Sequence, residues 1–576
     1  MEPVPSTSFD MSQRHDHDDS LENILSSMFT PGHNMPSPDY EMQTQEVLND
    51  KDLYGILLGD CDNLLNEEMD EDEDNHPHEE DEDDTIEQPG HDWSIGNPHR
   101  QNFLDFQKQT GLKVDMINKE PLDFFFLIMN DLMNLILRCS NRYADKITSG
   151  NLKNFSRMKT WRPLTMDKLK TFVGLIIHMG NIKMNRLNDF WKSHYLFKTD
   201  IFRQHMSRDV FLNILRVLNV QEQEGNESLK KIITLIYTFN EKMKEIYYPT
   251  RELAIDESLL LWRGRLIFRQ YMKSKASRYG IKFYVLADTF GVCQKLHIYG
   301  GSGDQLVGGR GHAEKVVHLL LENYVNCGHS LYINNFYASI SLVTQLLDKA
   351  TFCTGTLRKN RAGNPKNITM KLNKGECIIL HNKRNLTLCK WHSNREVTVV
   401  SSEHNADMVR VQNPRRPLKP NAIFQYTKYM RNVDKIDQLL SYYNSEHKTL
   451  KWYKKVIIHI IQICVINSYQ MFKMTTNTSL SFYDFRLKLL ECLLPANTSI
   501  MTTPPTRQRI HLPELLPRGP SQRIKRKKCR YCLTNKKRVD TIYFCSDCPR
   551  SPALCITCFR LFTNTDDYKL IGSHAH

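Results

Sequence analysis

Residues 329–350 read HSLYINNFYASISLVTQLLDKA, a strand that passes directly into a helix. Leu331, Tyr332 and Ile333 are large and apolar, as a strand buried on both faces requires. Two amides, Asn334 and Asn335, then stand where the strand should finish. Amides at a strand end serve a turn, but chemistry is also mounted at strand ends, so the pair has two readings that the rest of the chain must separate.

The segments just upstream share this character. ELAIDESLLLW (252–262) reads as a strand, and IKFYVLADTFGVCQKLHIYGG (281–301) as two strands around the turn Asp288-Thr289-Phe290-Gly291. HAEKVVHLLLENYVNCG (312–328) reads as a helix closed by Gly328. Strand, hairpin, helix, strand and helix describe a mixed α/β sheet. Before it the period is helical. PLDFFFLIMNDLMNLILRCSNRYA begins with Pro121, TMDKLKTFVGLIIHMGNI with Thr165 as N-cap, and SRDVFLNILRVLNV and SLKKIITLIYTFNEKMKEIYY continue to about Thr250. After the sheet, residues 361–419 alternate short strands with Asn, Lys and Gly turns. Helix then returns in NAIFQYTKYMRNVDKIDQLLSYYN and in the long, amphipathic WYKKVIIHIIQICVINSYQMFKM.

The net charge of +12 conceals a division: residues 67–87 hold fourteen carboxylates and no Lys or Arg, which leaves +26 on the remainder. A basic body with an acidic arm suits a nucleic-acid binder whose arm competes with phosphate, and equally a body with a solubilising tail. Residues 1 to about 100 are poor in apolar side chains and read as disordered. No apolar N-terminal stretch follows a basic start, and the longest apolar run, Val456–Ile466, is broken by His459 and Gln462. The expectation is a soluble intracellular protein with no membrane partner. In that compartment fifteen cysteines serve as thiols or metal ligands.

The C-terminal tail carries the strongest motif. Cys529-x2-Cys532, Cys545-x2-Cys548 and Cys555-x2-Cys558 are three thiolate pairs within thirty residues, each able to give two sulfurs to a tetrahedral Zn²⁺. A cross-braced arrangement puts Cys529, Cys532, Cys555 and Cys558 on one zinc. Cys545 and Cys548 then need two more ligands, with His574 and His576 either supplying them or forming a frayed terminus. Arg526, Lys527 and Lys528, within RIKRKK (523–528), read as a phosphate-contacting patch or a nuclear import signal.

Asp256 interrupts an apolar strand, where a carboxylate is costly unless paired or metal-bound. Asp434 and Asp437 lie three apart on a helix and share a face. Packed together, Asp256, the end of the 331–335 strand and Asp434 would form the arrangement of a two-metal nuclease, with salt bridges and caps as the ordinary alternative. Beside them, Arg263, Arg265, Arg269, Lys273, Lys275, Arg278 and Lys282 alternate with Phe268, Tyr271 and Tyr279. Such a ribbon tracks phosphates, or is simply solvated.

At these residues the chain resembles the piggyBac transposase family, through IDESLLLWRGRLIFRQYMKSKASRYGIKFYVL, LYINNFYASISL, YTKYMRNVDKIDQLLSYYN and WYKKV. The resemblance runs from about residue 115 to the C-terminus. It implies an α/β RNase H-like catalytic core of DDE type, split by a β-rich insertion, embedded in a helical domain and followed by a small cysteine-rich zinc module. The implied divisions are a disordered acidic region (1–114), a helical dimerisation and DNA-binding domain (115–251 and, with a linker, 444–520), the core (252–360 and 420–443), the insertion (361–419) and the zinc-binding domain (521–576). It further implies a nuclear homodimer acting on double-stranded DNA at terminal inverted repeats, and cut-and-paste at TTAA with Mg²⁺ in the core. The family's catalytic aspartates fall on Asp256, Asn334 and Asp434, with the accessory one on Asp437. Asn334 therefore stands where the family has Asp. The expectation is weak Mg²⁺ occupancy and a DNA-binding protein that no longer cuts, against an active transposase or a zinc-module interaction factor with no specific DNA target. Arg431-Asn432 in place of Gly-Gly, and Thr563 and Asp567 in place of zinc-ligand histidines, are further departures.

Overall fold

A computed structural model describes residues 93–99, 105–410, 418–496, 512–546 and 551–562, apart from 151, 153–155, 223–224, 226–227, 274, 276–277 and 521. The expectations for Cys548, Thr563, Asp567, His574, His576 and the acidic tract lie outside these residues.

The described residues open with two short strands, β1 (Trp93–Ile95) and β2 (Gly111–Leu112), inside the region expected to be disordered. That expectation is corrected here, because long-range pairing offsets the weak local composition. β1 pairs antiparallel with residues 380–382, and Asn97 both donates to Asp407 Oδ1 at 2.7 Å and accepts from the Ala406 amide at 2.9 Å.

The helices that follow are α1 (Pro121–Thr148), α2 (Met166–Asn181), α3 (Asp200–His205), α4 (Arg208–Val217) and α5 (Ile233–Ile246). Pro121 is the first residue of α1, and the Thr165 hydroxyl caps α2 by accepting from the Lys168 amide. Ser207 caps α4 in the same way, through the Val210 amide. The short strand β3 (Tyr247–Tyr248) returns to pair with β2.

The sheet is built from β4 (Glu252–Leu261), β5 (Gln270–Tyr271), β6 (Tyr279–Asp288), β7 (Cys293–Ile298), β8 (Ser330–Ile333) and β9 (Phe352–Thr356), with helices α6 (His312–Leu321) and α7 (Ile340–Asp348) between strands. The β6–β7 turn closes on Gly291 at φ 77°, while Asp288 Oδ1 accepts from the Phe290 and Val292 amides. Helix α6 stops at Leu321, seven residues short of Gly328. The intervening chain runs in turns, with Asn326 at φ 59° donating to the Lys349 carbonyl. Gly328 serves a different purpose: a Cβ there would lie 2.9 Å from the Asp105 carbonyl oxygen.

The β-rich segment forms the meander β10 (Cys377–Asn382), β11 (Thr387–His392) and β12 (Glu396–Ser401). The three meander strands do not form a separate sheet. β12 pairs with β9, giving one ten-stranded sheet ordered β1-β10-β11-β12-β9-β8-β4-β6-β5 with β7 on β6. β8 is parallel to both β4 and β9, and the other pairs are antiparallel.

Four helices complete the body: α8 (Asn421–Tyr429), α9 (Asn432–Tyr442), α10 (Trp452–Thr476) and α11 (Phe482–Leu493). One face of β4 and β6 (Leu260, Phe283, Val285) packs into the helical core with α1, α9 and α10. The other (Ile255, Tyr284, Leu286) packs with α6 and α7. Helix α10 corrects the amphipathic expectation, since it is buried on every side from Trp452 to Tyr469. By length and hydropathy it could cross a membrane, yet 94% of its most apolar window is enclosed by the protein's own elements.

Candidate functional site

Strand periodicity decides which way the charged residues of β4 point. Successive side chains alternate, so Asp256 and Ser258 face the helical side while Glu257 faces the α6–α7 side. Both carboxyls are almost fully buried, at 8% and 3% exposure. β8 lies parallel to β4, pairing Ile333 with Ile255, so Asn334 emerges level with Asp256.

Asn334 reaches both faces. Its Nδ2 donates to Asp256 Oδ1 at 3.0 Å and to Glu257 Oε2 at 3.0 Å. Its Oδ1 accepts from the Phe336 amide at 2.9 Å, which fixes the orientation: the nitrogen, not the oxygen, faces the carboxylates. Glu257 is also paired with the buried Lys282, whose Nζ lies 3.4 Å from Oε1. The resulting chain runs Lys282, Glu257, Asn334, Asp256.

Charge is divided unevenly along it. Burial pushes the Asp256 carboxyl well above the usual carboxylate range; Lys275 opposes this, and Glu257 and Asp434 add to it. Burial also acts upward on Glu257, but Lys282, with hydrogen bonds from Asp256 and Asn334, brings it to about 2. Of the two, Glu257 is the one whose surroundings favour the charged form, while burial disfavours it at Asp256.

Helix α9 supplies the remaining carboxylates. Asp437 Oδ1 accepts from the Ser258 hydroxyl at 2.5 Å, which ties α9 to β4. Burial pushes its carboxyl up, opposed by Lys275 and by the Ser258 bond. Asp434, in the first turn, is 39% exposed, and Lys275 Nζ stands 4.0 Å from its Oδ1. Burial alone would lower the Lys275 ammonium, but Asp256, Asp434, Asp437 and Glu257 raise it above its ordinary value. Arg431 and Asn432 are buried, and Asn432 Oδ1 accepts from Lys435 Nζ at 3.1 Å. Their side chains are therefore packed inward and do not stand over Asp434 in solvent.

These groups do not fit a pair of divalent cations. A metal ligand must offer a lone pair, and Asn334, its Oδ1 held by the Phe336 amide, turns N–H towards the carboxylates. Among the described residues, the one set of three or more His, Cys, Asp or Glu whose ligand atoms all lie within 4.8 Å of one another is Cys529, Cys532, Cys555 and Cys558. That set does fit a metal. Sulfurs ~2.3 Å from a tetrahedral ion lie ~3.8 Å apart. Cys532 Sγ is 3.3 Å from Cys558 Sγ and 3.8 Å from Cys555 Sγ. Cys545 is buried nearby but outside this set.

The ribbon divides. Arg263, Arg265, Arg269, Lys273 and Arg278 are exposed, and Tyr271 and Tyr279 pack together at 4.7 Å with the Arg269 guanidinium 5.3 Å above the Tyr279 ring. Lys282 leaves the expected phosphate-contacting group, since it is 4% exposed and spent on Glu257. Lys275 is half-buried and directed at the acidic centre. Phe268 is buried against Trp452, and Arg526, Lys527 and Lys528 are exposed at the start of the cysteine-rich segment. Sequence reading missed Glu257. The signal was available: two adjacent acids in a buried strand cannot both be left unpaired.

Comparison with known proteins agrees with this layout. The family profile described as Transposase IS4 matches residues 120–469. The chain is similar to PiggyBac transposable element-derived protein 3 of Homo sapiens (24% identical over 396 residues, 65% of this chain and 65% of that protein). It is also similar to the human PiggyBac transposable element-derived protein 2 (22% over 404 residues, 66% and 64%). It thus spans just under two thirds of these relatives' length. Among solved structures, it matches a cryo-EM structure of a piggyBac transposase synaptic complex with hairpin DNA at TM-score 0.61 and 21% identity, over 78% of this chain and 98% of that one.

Proposed function

The chain belongs to the Transposase IS4 family, with the piggyBac-type proteins, and from that premise we propose that it is a transposase-derived DNA-binding protein whose strand-cleaving centre is disabled. The observation that carries this reading is the Asn334 amide placed between Asp256 and Glu257. An RNase H-like core needs three oxygen donors for two Mg²⁺ ions, and here one donor has become a hydrogen-bond donor. Two internal cations, Lys275 and Lys282, stand against the acids. The exposed arginines and lysines of 263–278 and 526–528 would contact phosphates, with terminal inverted repeats as the target. The protein acts in the nucleus as a homodimer, and Zn²⁺ on Cys529, Cys532, Cys555 and Cys558 holds the C-terminal module together.

A competent transposase is the second reading. Glu257 favours it, being a buried carboxylate 3.0 Å from the Asn334 amide and able to restore the lost charge. Plasmid excision on flanking inverted repeats separates the two. No excision by the natural chain, with DNA still bound, is expected. Excision abolished by Asp256→Ala would establish the enzyme instead.

A further inference from the structure

Away from the acidic centre, the β-meander brings two thiols together. Cys377 is the first residue of β10, and Cys389 lies in β11. The register pairs Cys377 with Trp391 and Ile379 with Cys389, so the cysteines are diagonal neighbours on one face of the sheet. Their sulfurs are 3.4 Å apart. Cys389 is fully buried against Trp391, Val399 and the α8 residues Ile423 and Tyr426, whereas Cys377 is half-buried at the margin of that cluster.

We propose that Cys377 and Cys389 form a redox-active dithiol that small disulfides of the glutathione type convert into a cross-link between β10 and β11. Nothing in this assignment depends on whether the acidic centre cuts DNA. The unequal exposure orders the steps. Cys377, the accessible thiol, loses its proton and attacks one sulfur of the external disulfide, forming a mixed disulfide and releasing one glutathione thiolate. Cys389 then loses its proton and attacks the Cys377 sulfur, displacing the second glutathione thiolate. The two protons pass to the two leaving thiolates. The protein pair is oxidised by two electrons, and the external disulfide is reduced to two thiols. The hydrogen bond from Cys389 lowers the Cys377 thiol below its ordinary value, and the same bond raises Cys389, which suits an attacking and a resolving partner in turn. To bond, the sulfurs must close from 3.4 Å to the ~2.05 Å of a disulfide, which draws β10 and β11 together at this diagonal.

The test uses the reduced, zinc-loaded full chain incubated with glutathione disulfide, followed by peptide mapping without reduction. The expected result is a cross-linked peptide pair containing Cys377 and Cys389, lighter by two hydrogens, with both thiols lost to alkylation. Cys389→Ser should instead trap a stable glutathione adduct on Cys377, and Cys377→Ser should leave Cys389 unmodified. The exposed Cys492 serves as an internal control for oxidant access. A glutathione adduct persisting on Cys377 in the natural chain overturns the proposal. So does an unreacted Cys377 when Cys492 has been modified.

Discussion

Asn334 donates to Asp256 across 3.0 Å from the end of the strand next to it, and a second bond of the same length ties it to Glu257. Replacing this amide with a carboxylate would put three acids around one point. Asn334→Asp should therefore lower stability without metal by ~3 kcal/mol, as expected for an uncompensated buried charge. The variant should regain it on adding Mg²⁺ or Mn²⁺, whereas the natural chain should not respond. Thermal melting with and without each cation reads both effects. Equal metal responses in the two proteins would sink the idea.

Acid should act through Glu257. Its pKa falls from the ordinary 4.5 to about 2 in the fold, so its stabilisation is complete above the unfolded value and is lost as pH falls towards 2. Asp256 has the opposite sign, because its raised value withdraws stability as pH rises through it from 3.8. Of this pair, then, only Glu257 contributes to the loss below pH 3.8, by at most ~3 kcal/mol. Asp304 and Glu396, also held low, add to the slope of the whole chain. Urea titrations from pH 2 to 5 should show this slope in the natural chain and a flatter one in Glu257→Gln.

The two classes of ribbon cation should separate experimentally. Neutralising Arg263, Arg265 and Arg269 together should weaken DNA binding and reduce the salt slope by ~0.9 per lost phosphate contact. Lys282→Met should leave the slope unchanged while destabilising the fold by ~3–5 kcal/mol, since Glu257 would lose its partner. Binding isotherms at several salt concentrations, set beside denaturation curves, distinguish the outcomes.

Zinc should be confined to the tail. Cys555→Ser or chelation should release bound zinc and unfold residues 512–562, leaving the main melting transition in place. Metal analysis together with amide exchange resolved by segment checks this; loss of protection in β4 or α10 would contradict it.

Gly280 gives a packing test. A Cβ there would stand 2.3 Å from the Leu260 carbonyl oxygen, within the β4–β6 pairing that carries Asp256. Gly280→Ala should cost ~1–3 kcal/mol by forcing these strands apart. An unchanged denaturation midpoint would show that the pairing yields without strain.

Much of the architecture was legible because local signals agreed with the final packing. Pro121, Thr165 and the Asp288–Gly291 turn each did in the fold what their chemistry suggests. Helix α10 was misread for a physical reason. Its Lys454, Lys455, His459, Gln462 and Asn467 look like a solvated face, yet each is consumed internally. Lys454 donates to the Leu215 and Arg216 carbonyls, Lys455 to Leu261 and His459 interacts with Glu446. Gln462 accepts from the Ser445 amide and Asn467 brackets the backbone of Cys293. The acidic centre was half legible. Asp256, Asn334, Asp434 and Asp437 could be named from their spacing and resemblance. The roles of Glu257 and Lys282 depend on how β4, β6 and β8 are registered, which no local pattern encodes.

The junction of β12 with β9 makes the meander a continuation of the core sheet. Main-chain pairing runs from the Trp93 edge through β10, β11, β12 and β9 to β8, the strand that leads into Asn334. The segment that interrupts the core in sequence thus extends it in space.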